Sequence, residues 1–127
     1  MAVIDKFYEV KQLKFHIKML DEKINTLRSK VEVQAVKYSD LPKIKNCQDR
    51  ILSLRMEKLF ELEMQKDKLQ TKIDIILEEL EVLPEHLYGV LHYRIIEGLK
   101  WKAISKKLSY SVSQCHRFFD IAKNFNI

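Results

Sequence analysis

The sequence predicts an all-α protein: a long antiparallel helical hairpin, coiled-coil-like, followed by a C-terminal unit of three short helices. Three observations carry this. Glycine and proline are scarce, 2 of each in 127 residues, and tight turns or strand bends usually recruit those residues. Over two long stretches, apolar side chains recur alternately every three and four residues, the period that keeps one stripe on one side of a helix. Then a glycine and a cluster of serines fall within residues 98–113, where short helices need ends.

The first stripe is Val10, Leu13, Ile17, Leu20, Ile24, Leu27 and Val31, with Phe7, Phe15 and Met19 widening it. A second runs Leu52, Leu59, Leu62, Leu69, Ile73, Ile76, Leu80 and Leu83, and Arg55 and Lys66 interrupt it at core-type positions. Leu54, Met56, Phe60 and Ile75 lie off this seam, so the second helix is expected to have more than one neighbour. Between the stripes, YSDLPKIKNC at residues 38–47 supplies turn and capping residues, and Pro42 disfavours helical geometry at Leu41. The chain should reverse there, with Leu41 and Ile44 over the tip. Residues 1–83 therefore read as a scaffold hairpin. Its seam can be closed within one chain or completed by another copy. Self-association through it, as a dimer, is the expectation.

Residues 84–127 read differently. Pro84 suits a first helical position, since its missing N–H would have no intrahelical partner there. Leu87, Val90, Leu91, Arg94 and Ile95 follow at helical spacing, and Gly98 suits the left-handed residue that ends a helix of about residues 84–97. Trp101, Ile104 and Leu108, with Ala103 beside them, form the apolar face of a second short helix that stops near Ser109 and Tyr110. Next comes SVSQ, residues 111–114, which matches a capping box: the serine hydroxyl accepts from the backbone three residues on, and the glutamine reaches back. The last helix turns Cys115, Phe118, Phe119 and Ala122 inward, with Phe125 near its end. Ser113, Gln114, His116, Arg117 and Asp120 face outward.

A short helix, a tight turn and a capped helix with a polar first turn make the layout of a helix-turn-helix, whose second helix enters the DNA major groove. Charge agrees. Residues 84–127 hold 7 Lys/Arg against 3 Asp/Glu, whereas residues 1–83 hold 16 against 15, and a basic excess attracts a polyanion. The candidate DNA-binding residues are Lys102, Lys106 and Lys107 for phosphates, and Ser111, Ser113, Gln114, His116 and Arg117 for base edges or phosphates. Gln pairs with adenine N6/N7 and Arg with guanine O6/N7.

The run LHYRIIEGLKWKAISKKLSYSVSQCHRFFDIA, residues 91–122, resembles the fourth conserved region of bacterial sigma factors. More closely it is similar to small phage proteins that join a helical amino-terminal region to such a module, the late-gene activators of the RinA and ArpU type. VKYSDLPK, residues 36–43, is similar to a serine-proline loop in that group. The resemblance implies sequence-specific binding of double-stranded DNA in a phage or prophage of a Gram-positive bacterium, and contact with bacterial RNA polymerase at late promoters. Lys102 and Ala103 stand where the pattern has a residue followed by Glu, and Ser105 stands where it has Ala.

Other chemistry finds little footing. There is no phosphate-cradling glycine loop and no nucleophile elbow, so neither an enzyme nor a cofactor is expected. His16, His86, His92 and His116 have no zinc spacing. The acidic run Glu78, Glu79, Glu81 and Glu85 reads as a solvated helix face. Cys47 and Cys115 read as separate reduced thiols. The absence of a membrane span and of a basic-then-apolar amino terminus predicts a cytoplasmic protein. Two other functions fit less well: a DNA-recognition subunit of a phage terminase, and an adaptor whose helix-turn-helix binds protein only.

Overall fold

The computed structural model describes residues 2–40 and 47–126, with side chains from 2–33 and 50–126. The expected turn at residues 41–46, with Leu41 and Ile44, and the Cys47 thiol lie outside the described residues. Two long helices, α1 (Val3–Asp40) and α2 (Cys47–Leu80), precede three short ones, α3 (Glu85–Leu91), α4 (Trp101–Leu108) and α5 (Val112–Lys123). This is the all-α hairpin and three-helix order that the periodicity predicts. At 38 and 34 residues, α1 and α2 are each roughly 50–57 Å long.

Packing divides the chain into two compact units, residues 15–70 and residues 2–14 with 71–126. The division expected at residue 84 follows the punctuation of the sequence, whereas the packing groups the start of α1 and the end of α2 with the short helices.

Residues 15–70 form an antiparallel two-helix coil. Asp21 pairs with Lys66 and Arg28 with Glu63, each at 2.6 Å, so the position on α2 falls as that on α1 rises. Ile24 and Leu62 are buried in the seam, and Ile17, Leu20, Leu27, Leu59 and Leu69 are half-buried. Lys66 and Arg55, the two interruptions, are half-buried as well. Lys66 is tolerated because its stem covers apolar surface while its ammonium meets Asp21 at the edge. Within one chain the seam therefore closes around Ile24 and Leu62. Phe15 and Met19 do not widen it: both are exposed, as are Leu54, Met56 and Phe60.

The other unit has a fuller core. Val3, Phe7, Leu80, Leu83, Leu87, Leu91, Ile95 and Ala122 are buried together, and the Phe7 ring meets the edge of Tyr88 at 5.4 Å. The chain ends are tied. The Val3 N–H donates to the Phe125 carbonyl at 3.0 Å, and Ala2 and Asn126 form an isolated antiparallel bridge. Lys6 pairs with Glu79 across α1 and α2.

Pro84 stands one position earlier than expected. It is the N-cap of α3, with ψ 142°, and its carbonyl accepts the first helical bond from the Tyr88 N–H at 3.0 Å. After Leu91 the helix widens into a π-helical turn, His92–Ile96, where the Glu97 N–H reaches back to the His92 carbonyl at 3.2 Å. Gly98 then takes φ +66°, the left-handed end that the sequence indicates.

Candidate nucleic-acid interface

The corner made by α4 and α5 is assembled from its turns inward. At the α3–α4 turn the Leu99 N–H donates to the Tyr93 carbonyl at 3.0 Å. The Arg94 guanidinium donates to the Leu99 carbonyl at 3.0 Å and lies 4.8 Å from the centroid of the Trp101 ring. Arg94 is exposed. It clamps the turn, a role that its place in the helical repeat did not indicate. Lys100 precedes α4 in extended geometry, and Ile104 is fully buried. Gly89 on α3 lets Leu108 come close: a Cβ there would meet the Leu108 side chain at 3.0 Å.

The turn between α4 and α5 is left-handed at Ser109, with φ 61° and ψ 31°. A side chain in this conformation is strained by about 1–2 kcal/mol. Part of the compensation is local, since the Ser105 hydroxyl donates to the Tyr110 carbonyl. Ser105, which departs from the sigma-like pattern, thereby satisfies a turn carbonyl. Ser111 is the N-cap of α5, and its Oγ accepts from the Gln114 N–H at 3.2 Å. That bond is the serine half of the expected capping box, and it removes one of the orphan donors at the helix start.

The inward face of α5 is as the spacing indicates: Cys115 and Ala122 are fully buried, and Phe118, Phe119 and Phe125 are half-buried. Aromatic edges lock the helices together. Phe119 meets Trp101 at 5.4 Å, and Phe118 meets His86 at 4.7 Å and Tyr110 at 5.1 Å. Burial raises the Cys115 thiol pKa, which keeps it protonated and inert at neutral pH.

On the outward side, Ser113, Gln114, His116, Arg117 and Asp120 are all exposed, as are Ser111, Lys102, Lys106 and Lys107. These residues are not equivalent. His116 packs against the Trp101 ring, with centroids 4.0 Å apart and planes tilted by 34°, so its imidazole is already partly occupied. Lys107 holds its ammonium 5.2 Å from the Tyr93 ring, a cation–π contact that draws it toward the π-helical turn. Lys102 and Lys106, four residues apart, share one face of α4. Gln114 and Arg117 lie three apart on the first turns of α5. Asp120, the acid on the outward face, sits 4.0 Å from Lys123.

His92 has no metal-type spacing, but it is a half-buried group in the π-helical turn. The His92 ring stacks on Tyr88 at 6.2 Å and meets Tyr93 at 5.3 Å, and its buried Nδ1 has no hydrogen-bond partner. Burial lowers its pKa, and Lys14 adds to this, while Glu97 opposes them. No signal in the sequence marks the π-helical turn that places it there.

Among the described residues no group of His, Cys, Asp and Glu side chains could hold a metal ion. None of the described helices is long and apolar enough to cross a membrane. Comparison with family models, with curated proteins and with solved structures finds no match to this chain.

Proposed function

We propose that this protein is a sequence-specific DNA-binding transcriptional regulator, with α5 as the recognition helix. The observation that carries the reading is the exposed first turns of a serine-capped helix, presenting Ser113, Gln114 and Arg117, together with the exposed Lys102 and Lys106 on the adjoining α4. Gln114 and Arg117 can address base edges. Ser111 and Ser113 suit phosphates at the helix start, where free N–H groups and the helix dipole favour anions. Lys102 and Lys106 add phosphate contacts. Lys107 joins them on release from Tyr93, and His116 acts chiefly by bracing α5 on Trp101. Together with the sigma-like pattern of residues 91–122, this supports a regulator of the phage RinA and ArpU type that activates late genes and contacts bacterial RNA polymerase in the host cytoplasm.

The test is salt-dependent binding, first to random duplex and then to sequences selected from a random pool. Several phosphate contacts give a steep fall of affinity with salt. Arg117→Ala should weaken binding to the selected sequence by about 1–3 kcal/mol and relax preference at one base pair. Lys106→Ala should weaken all sequences alike. A chain that binds no duplex at low salt would assign the corner to a protein partner.

A further inference from the structure

We propose that the outer face of α1 in one copy of this chain seats on the outer face of α2 in a second copy, so that copies join head to tail. The starting point is a surplus of apolar surface. Within residues 15–70 the seam is already closed around Ile24 and Leu62, yet Phe15 is 60% exposed and Met19, one turn on, is 42% exposed. On α2, Met56, Phe60 and Met64 follow one another at successive turns and are 55%, 63% and 46% exposed. Single exposed apolar residues are ordinary, whereas a contiguous row is not. Beside the α2 row runs a shallow groove lined by Leu52, Ser53, Met56, Glu57, Phe60 and Glu61.

Helical geometry places both rows away from the seam. Phe15 lies about half a turn around α1 from Ile24, and Phe60 lies nearly as far around α2 from Leu62. The two rows therefore face opposite ways, and one chain cannot bring its own pair together.

Charge selects the occupant. Lys18 and Lys23 flank the α1 row on either side and outnumber Glu22 on that face, and Glu57 and Glu61 border the α2 row, Glu61 at 3.9 Å from Lys58; Lys18, Glu22, Lys23, Glu57 and Glu61 are all exposed. Pairing α1 with α1 would set mostly lysines against lysines, and pairing α2 with α2 mostly glutamates against glutamates. Pairing α1 of one copy with α2 of the next joins apolar row to apolar row and Lys to Glu, the rule by which flanking charges choose partners in helical assemblies. Because different patches meet, the contact is heterologous, and a pair of copies keeps one free row on each outer side. Such contacts build a closed ring or an open filament. This goes beyond the DNA-binding reading and does not depend on it.

The experiment is sedimentation velocity on the full chain without DNA, over a range of micromolar concentrations. The native chain should form species larger than a dimer that grow with concentration and shrink at high salt. Phe15→Glu and Phe60→Glu should each be monomeric with unchanged helical circular dichroism, since both sites are exposed. Mixed together, the two variants retain one intact contact and should give a 1:1 dimer and nothing larger. Should either substitution lower helicity, the charge exchanges Lys18→Glu/Lys23→Glu and Glu57→Lys/Glu61→Lys replace it: each alone should be monomeric, and their mixture should regain the native size. A native chain that stays monomeric, a mixture of variants that stays monomeric, or a single variant that keeps the native size overturns the proposal.

Discussion

Residues 15–70 and the unit made by residues 2–14 with 71–126 are cut from the same two long helices, yet they are held together by different means. In the first, each helix has one neighbour. A two-helix coil cannot wrap its own seam, so among its described residues only Ile24 and Leu62 fall below a tenth exposed, and paired charges at Asp21–Lys66 and Arg28–Glu63 edge the seam. These ion pairs are 40–49% exposed, and each contributes at most about 1 kcal/mol. In the second unit the same helices gain α3 and α5 as neighbours, and Val3, Phe7, Leu80 and Leu91 become fully buried. Identical periodicity therefore gives unequal burial, and the number of neighbours decides it.

The sharpest way to break that contrast is to remove one phenylalanine from each unit. Phe7→Ala empties a fully buried site and should destabilise the chain by about 3–5 kcal/mol, whereas Phe15→Ala should change the monomer by less than about 0.5 kcal/mol. Urea unfolding followed by circular dichroism and by Trp101 fluorescence measures both. Equal effects would mean that the two units are not packed differently. A smaller effect is expected where the short helices begin: Ser111→Ala removes the cap of α5 and should cost about 1 kcal/mol, read as a lower thermal midpoint.

The opposite sign is expected at the neighbouring turn. Ser109→Gly relieves a left-handed side chain and should stabilise by up to about 1 kcal/mol; a lower midpoint would show that Ser109 contributes more than backbone shape. The smallest effect concerns pH. The folded pKa of His92 lies below its ordinary value of about 6.5, so the unfolded chain takes up the proton first. The stability contributed by neutral His92 is present above that ordinary value and is lost as pH falls through it. His92→Phe should therefore lose less stability than the native chain between pH 7.5 and 5.5, in paired urea titrations. An equal loss would place the acid sensitivity elsewhere.

Much of the fold was legible because it is local. The seam residues Val10 to Val31 and Leu52 to Leu83 are buried or half-buried where described, since a period near 3.5 leaves little choice of face. Gly98 and Ser111 were equally readable: one supplies a left-handed φ and the other a hydroxyl acceptor, and both act within a few residues. The exposed set Ser113, Gln114 and Arg117 follows from the inward set by helical spacing alone. What could not be read was any relation between distant residues. Arg94 sits at an apolar-type position and would pass for a solvated cation, but it clamps Leu99 and Trp101 across a turn. His116 reads as a free polar residue from its spacing, but Trp101 lies against it. Phe15 and Phe60 read from their spacing as apolar surface to be buried, yet both remain exposed in the packed helices.

The sequence alone determined where helices begin and end and which side of each is apolar, because propensity, capping and periodicity act over a turn or two of backbone. Tertiary structure alone decided that Val3 and Phe7, at the start of the chain, complete the core beneath Leu87, Leu91 and Ala122 near its end. No local pattern encodes that closure. It depends on segments far apart in the chain, which remove more apolar surface from water packed together than either could alone.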